Sequence, residues 1–124
     1  MKKILIACCF LTLIAQCDDM SDGKKLYDSK CAICHTSARP NSMAEMNALI
    51  APPMEGLMFH LKTSFNTKEE SNKFMKDYIM NPTKEKALCM PQKIQKFGLM
   101  PSQKGVVTED ELDKIIAYLS EQYK

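Results

Sequence analysis

The chain has 124 residues, of which 17 are basic, 15 are acidic and 45% are hydrophobic. This length allows one compact domain and excludes two. The near balance of charge excludes the general basic field that nucleic-acid binding needs, so we expect no nucleic-acid partner.

The first seventeen residues have the pattern of an export signal. Lys2 and Lys3 form a short positive segment, and residues 4–15 follow as an uncharged apolar run. That run is shorter than the ~20 residues that span a bilayer, and a buried N-terminal helix is the alternative. We predict a signal peptide over residues 1–17 and a periplasmic domain over residues 18–124. Removal of the two lysines leaves 17 − 2 = 15 basic and 15 acidic residues, so the mature chain is formally neutral.

The end of this signal has two interpretations. Residues 14–17, Ile-Ala-Gln-Cys, resemble a lipoprotein signal, although Gln16 stands where that pattern has a small residue. Cleavage after Ala15 is the alternative. We favour lipidation of Cys17, which would anchor the protein to a membrane. Without the lipid, Cys17 could form a disulfide with Cys89, and with it Cys89 is a lone thiol.

Hydrophobic spacing along the mature chain predicts an all-α domain. We predict helices over residues 23–34, 43–50, 67–80 and 92–97, and from Thr108 to Leu119. Ser21 or Asp22 is the expected cap of the first helix, and Gly98 is the expected end of the fourth. Residues 57–63 receive no assignment, and no segment has the pattern of a strand.

Two helices begin with the sequence of a capping box, Thr67 with Glu70 and Thr108 with Glu111. The last helix also carries a repeating apolar face, formed by Leu112, Ile115, Ile116 and Leu119. A mature domain of this size with long irregular segments and no Trp has a thin core. A buried prosthetic group would supply the missing apolar mass.

The sequence Cys31-Ala32-Ile33-Cys34-His35 is the C-x-x-C-H signature of c-type haem attachment. Two thiols at this spacing can reach the two vinyl groups of one haem, and each then forms a thioether. The adjacent histidine ligates the iron as its proximal ligand. We therefore predict one haem c, bound covalently through both cysteines.

Two other sites use a similar cysteine pair. A thioredoxin-like redox motif belongs in a βαβ unit, and no strand is predicted here. A zinc site needs a second pair of ligands, and only Cys89 and His60 remain, far apart in the sequence.

The flanking sequence resembles the class I, mono-haem cytochromes c. Residues 22–27, Asp-Gly-Lys-Lys-Leu-Tyr, resemble the opening helix of that family. Residues 99–101, Leu-Met-Pro, and residues 116–119, Ile-Ala-Tyr-Leu, resemble its distal methionine and closing helix. The resemblance implies a small all-α fold around one haem. Its N- and C-terminal helices would cross near Gly23 and Tyr27, against the aromatic residue of the closing helix.

The resemblance also implies the remaining ligands. Met100 stands where the family places its sixth iron ligand, and a thioether there raises the reduction potential. Met90, His60 or an open site are the alternatives, and we interpret most other methionines as core residues. We expect His60 to be satisfied by a backbone group. A proline carbonyl holds the proximal histidine in the family, which indicates Pro52, with Pro40 as the second candidate.

The implied function is transfer of single electrons between redox protein partners, by a monomer that is not an enzyme. A gas sensor or peroxidase-like enzyme with an open distal site is one alternative. A dedicated haem subunit of a respiratory complex is another. Lysines near the distal loop could steer an acidic partner or simply form a solvated face; they are Lys84, Lys86, Lys93 and Lys96.

Overall fold

The computed structural model describes residues 18–124, whose regular structure consists of six helices. They are α1 (residues 18–30), α2 (Met43–Ala48), α3 (Met54–Ser64), α4 (Lys68–Met80), α5 (Pro91–Phe97) and α6 (Glu109–Gln122). Within these residues the strand-type pairing is limited to one bridge between Lys104 and Val107, which confirms the all-α class. The signal peptide predicted over residues 1–17 lies outside the described range. None of the described helices is long and apolar enough to cross a membrane.

The first and last described helices cross at Gly23. A Cβ atom added to Gly23 would collide with the carbonyl oxygen of Lys114 and lie 2.8 Å from the Cβ of Tyr118. The helices α1 and α6 can therefore approach this closely only because residue 23 has no side chain. One turn further along α1, the ring of Tyr27 lies 5.8 Å from the ring of Tyr118. This contact confirms the crossing that the family resemblance implied.

The start of α6 is the predicted capping box. The Thr108 hydroxyl accepts a hydrogen bond from the amide of Glu111 at 3.2 Å. The Glu111 carboxylate accepts one from the amide of Thr108 at 2.9 Å. All four residues of the predicted apolar face are buried: Leu112, Ile115, Ile116 and Leu119. The helix thus delivers one continuous apolar face to the core.

The core is formed by side chains of α1, α3, α4 and α6 and of the loop before α6. Its buried apolar residues are Tyr27, Met54, Met58, Leu61, Met75, Val107, Leu112, Ile115, Ile116 and Leu119. Three methionines are among them, whereas Met43, Met46 and Met90 are exposed. The interpretation of most methionines as core residues is therefore correct for only part of the set.

Two helices differ from their predicted bounds. Residues 18–22 are already helical, so the predicted cap at Ser21 or Asp22 is wrong. Asp19 and Asp22 lie 3.7 and 3.4 Å from the Lys114 ammonium, and these ion pairs offset the weak helix preference of aspartate. The same helix ends at residue 30 and not at Cys34.

The helix α3 was missing from the prediction, which assigned no element to residues 57–63. It begins after Pro53, which cannot donate a backbone hydrogen bond and suits the start of a helix. Met54, Met58 and Leu61 occupy its buried face at spacings of four and three residues.

Candidate functional site

The C-x-x-C-H residues lie in a tight turn directly after α1. The amides of Cys31 and Ala32 both donate to the carbonyl of Tyr27, each at 2.9 Å. The amides of Cys34 and His35 then donate to the carbonyl of Cys31, at 3.1 and 2.9 Å. One turn of chain therefore carries both thiols and the imidazole.

The imidazole of His35 is held by the carbonyl of Pro52. The distance from its Nδ1 atom to the Pro52 oxygen is 2.8 Å. Because a carbonyl can only accept, Nδ1 must carry the proton and donate it. In the neutral ring this leaves the Nε2 lone pair free to bind a metal. The structure thus brings together two of the residues that the sequence analysis selected.

Backbone pairing brings Pro52 to His35. The amide of Met54 donates to the carbonyl of Thr36 at 2.7 Å, and the amide of Glu55 donates to the carbonyl of Ser37 at 3.1 Å. These amides belong to the first turn of α3, where they have no partner within the helix. The start of α3 is therefore tied to the two residues that follow the proximal histidine. No sequence motif marks these backbone acceptors, and sequence analysis missed them.

Met100 lies in the loop between α5 and α6 and lines a separate cleft. The cleft has a volume of about 590 Å³ and is lined by Met80, Asn81, Pro82, Thr83, Leu99, Met100, Pro101, Ser102 and Lys104. The Ser102 hydroxyl donates to the Met80 carbonyl at 2.6 Å, and the Gln103 amide donates to the Ile79 carbonyl at 3.1 Å. These bonds hold the loop against the end of α4. The cysteine pair and His35 are not part of this lining, and Met80 is a second thioether in it that sequence analysis did not select.

Comparison with known proteins places the chain in a family. Residues 18–119 match the family model described as "Cytochrome C oxidase, cbb3-type, subunit III". The chain belongs to the cytochrome c family. Membership in this family implies a haem-based electron carrier with covalently attached haem c, which agrees with the predicted cofactor.

A relative from Aquifex aeolicus (strain VF5) resembles the cytochrome c chain along its whole length. The two sequences are 29% identical over an alignment of 136 residues, which covers 100% of this chain and 90% of the relative. That relative is described only as an "Uncharacterized protein", so it adds no information on function. No solved structure matches the chain.

The residues of this cytochrome c domain fit a covalently bound haem. Two thiols and one imidazole with a free Nε2 are the groups that covalent attachment and proximal ligation of a haem require. The described chain also exposes several large apolar side chains. They include Ile33, 74% exposed, Ile50, 65% exposed, and Phe59, 56% exposed.

The environment of Cys31 differs from that of a reactive redox cysteine. Burial raises the pKa of the Cys31 thiol, and the positive charge of Lys30 opposes this only in part. Redox-active cysteine pairs instead have a thiol whose pKa is lowered, because the thiolate is the nucleophile. Within residues 18–124 no three His, Cys, Asp or Glu residues are grouped as a metal site. Both alternatives for the cysteine pair are therefore disfavoured.

His60 does not have the backbone partner that we expected. It lies on the exposed surface of α3, and its ring makes no hydrogen bond with the described residues. Its nearest aromatic neighbour is Phe59, with ring centres 5.9 Å apart in an edge-on arrangement. Water can satisfy an exposed imidazole, which is why no backbone partner is needed.

The lysines near the distal loop have different environments. Lys86 forms an ion pair with Asp77 at 2.7 Å, and Lys96 donates to the Met46 carbonyl at 2.8 Å. The ammonium groups of Lys93 and Lys96 lie 5.9 and 5.0 Å from the centre of the Phe97 ring. Some of these ammonium groups therefore interact with other residues of the chain. Their role in steering a partner stays a prediction.

Proposed function

We propose that this cytochrome c domain is an exported single-electron carrier in which His35 and Met100 ligate the iron of one haem. Cys31 and Cys34 would hold that haem covalently. The haem supplies reversible one-electron chemistry between ferrous and ferric iron. The contribution of the chain is to bind the group, orient its ligands and exclude water.

The observation that supports this most directly is the hydrogen bond from His35 Nδ1 to the Pro52 oxygen. It fixes the tautomer and the orientation of the ring, and it raises the basicity of Nε2. The backbone supports this bond, because Pro52 lies two residues before Met54, and the first two amides of α3 donate to residues 36 and 37.

Met100 is the distal ligand that the environment favours. It is half-buried in a cleft, whereas Met90 is 56% exposed at the start of α5. An iron ligand must be shielded from water, because a wet site lets solvent compete for the metal. Met80 shares the cleft with Met100 and is the control that any ligation experiment needs.

Filled axial positions favour a carrier over an enzyme. Peroxide cleavage requires a distal acid–base group beside the iron. Among residues 18–124 the second histidine is His60, which lies on the exposed surface of α3. The cleft around Met100 contains one charged residue, Lys104, and no histidine or carboxylate.

Export is the second part of the proposal. Haem attachment to a C-x-x-C-H motif takes place outside the cytoplasm, and residues 1–17 have the pattern of a signal peptide. A lipid on Cys17 would hold the domain at a membrane surface. If inhibition of lipoprotein processing left the membrane fraction of the protein unchanged, lipidation of Cys17 would be excluded.

The description of the matching family favours a second candidate, a haem subunit of a respiratory oxidase. The chemistry would be the same, but the domain would have one obligate partner. Gentle purification separates these candidates, since a carrier elutes alone and a subunit elutes in a stable complex.

Optical spectra of the purified holoprotein test the ligand assignment. Met100→Leu keeps the volume of the side chain but removes the sulfur. We expect a low-spin wild type with a weak far-red sulfur-to-iron band that disappears in Met100→Leu. The matched variants Met80→Leu and Met90→Leu should keep the band. A high-spin wild type that binds carbon monoxide at once would contradict the proposal and indicate an open distal site.

A further inference from the structure

Two tyrosine hydroxyls, one near each end of the described chain, hold the segment that follows the attachment turn. The Tyr27 hydroxyl on α1 donates to the His35 carbonyl at 2.8 Å. The Tyr123 hydroxyl at the end of α6 donates to the Ser37 carbonyl at 2.9 Å. Residues 35 and 37 are thus fixed on both sides of Thr36.

Tyr27 is among the most buried side chains, at 1% exposure. A hydroxyl placed there needs a partner, because an unpaired buried polar group costs about 1–3 kcal/mol. The His35 carbonyl is therefore a partner on which Tyr27 depends.

Tyr123 is placed by the end of α6. Its amide donates to the Leu119 carbonyl at 3.1 Å, which closes the last turn of the helix. Burial raises the pKa of the Tyr123 hydroxyl, and the side chain of Ser37 opposes this rise in part. The segment 35–37 thus receives one hydroxyl from each of the two helices that cross at Gly23.

We propose that Tyr27 and Tyr123 are positioning residues for the proximal imidazole. Their hydroxyls fix the backbone of residues 35–37, and this segment also accepts the two amides of α3 that place Pro52. The two tyrosines therefore control the length of the bond from His35 Nδ1 to the Pro52 oxygen. This inference rests on the proposed function, in which His35 Nε2 binds the iron.

The sign of the effect follows from the hydrogen bond. Donation to the Pro52 carbonyl makes the imidazole a stronger electron donor, and a stronger donor stabilises ferric iron. If a hydroxyl is removed, the segment loosens and the bond weakens. The ferric state is then less favoured, so the reduction potential rises.

The experiment compares Tyr27→Phe and Tyr123→Phe with wild-type holoprotein. Both changes keep the ring and remove only the hydroxyl. Tyr118→Phe is the matched control, because Tyr118 packs at the same helix crossing and its hydroxyl makes no hydrogen bond with residues 18–124. The two measurements are the reduction potential and the solvent exchange of the Nδ1 proton of His35, followed by NMR.

We expect a higher reduction potential in Tyr27→Phe and in Tyr123→Phe. The Nδ1 proton should also exchange about fivefold faster in both variants, a factor that corresponds to the loss of one net hydrogen bond. Tyr118→Phe should match the wild type in both measurements. Tyr123 is less buried than Tyr27, so Tyr123→Phe remains informative if Tyr27→Phe folds poorly.

Unchanged potential and exchange in Tyr123→Phe and Tyr27→Phe would overturn the inference, even if their melting temperatures fell. The tyrosines would then act on stability alone. A wild-type spectrum without low-spin histidine ligation would instead contradict the proposed function itself. The two failures are thus distinguished by the spectrum of the unmodified protein.

Discussion

At Gly23 a single missing carbon atom lets two helices cross. The space that a Cβ atom would need is taken by the Lys114 carbonyl and by Tyr118. Both groups belong to the middle of α6, which is held by its buried face and cannot move aside without disturbing the core. Any larger residue at position 23 must therefore push α1 and α6 apart.

We predict that Gly23→Ala destabilises the holoprotein by about 1–3 kcal/mol, the usual cost of overpacking. Gly56→Ala is the control, because a Cβ atom at Gly56 in α3 meets nothing within 4 Å. Alanine has the higher helix propensity, so this change should be neutral or stabilise by up to about 1 kcal/mol. Urea unfolding measures the free energy of unfolding of both variants. Equal free energies of unfolding for the two variants would contradict the close crossing.

Individual residues could be predicted where chemistry fixes their spacing. The cysteine pair with its histidine was clear from sequence because two thioethers and an axial ligand require that pattern. Pro52 came from family resemblance, and the structure places its carbonyl 2.8 Å from the ring of His35. The hydroxyl contacts of Tyr27 and Tyr123 could not be predicted, since their acceptors are backbone carbonyls 8 and 86 residues away.

At the scale of elements, helices with a capping box were predicted most accurately. α4 and α6 begin after Thr67 and Thr108, as the sequence indicated, because a cap is a local interaction between residues three apart. α3 was missed because Gly56 and His60 interrupt its pattern, and its buried face depends on contacts with α4. Such contacts are tertiary and leave no local mark.

We predict that Thr108→Ala costs about 1 kcal/mol of global stability, since it removes the cap of a helix that carries four core residues. Ser42→Ala is the matched control. Ser42 caps α2, which has no buried residues, so its loss should affect local order and not global unfolding. Thermal unfolding of the holoprotein gives the comparison. A larger effect for Ser42→Ala would show that α2 contributes to the cooperative core.

For the whole molecule, ion pairs join helices that are distant in sequence. The carboxylate of Glu121 on α6 pairs with Lys124 and lies 2.8 Å from the ammonium of Lys68 on α4. The hydrogen bond from Lys124 has the largest effect and that from Lys68 the next largest. Together they lower the pKa of the Glu121 carboxyl from 4.5 to about 2. Because the pKa is lower in the folded chain than in the unfolded chain, the group stabilises the fold while it is ionised.

The lowered pKa of Glu121 predicts how the stability of the fold changes in acid. The contribution of Glu121 is fully present above pH 4.5 and is lost as the pH falls towards about 2. Glu121→Gln should therefore lower the urea midpoint at neutral pH and converge with the wild type in acid. Glu69→Gln is a control of equal charge change, because Glu69 forms no ion pair within the described residues. A gap between wild type and Glu121→Gln that persists at low pH would contradict this linkage.

The crossing at Gly23 also makes the fold depend on both ends of the described chain. The two crossing segments lie near opposite ends of the described chain, and α6, which carries four of the ten buried apolar residues, is the last of the six described helices. A chain that lacks α6 has no partner for α1 at this crossing. Any polypeptide that stops before residue 109 would carry both thiols but lack the helix that closes the fold around them.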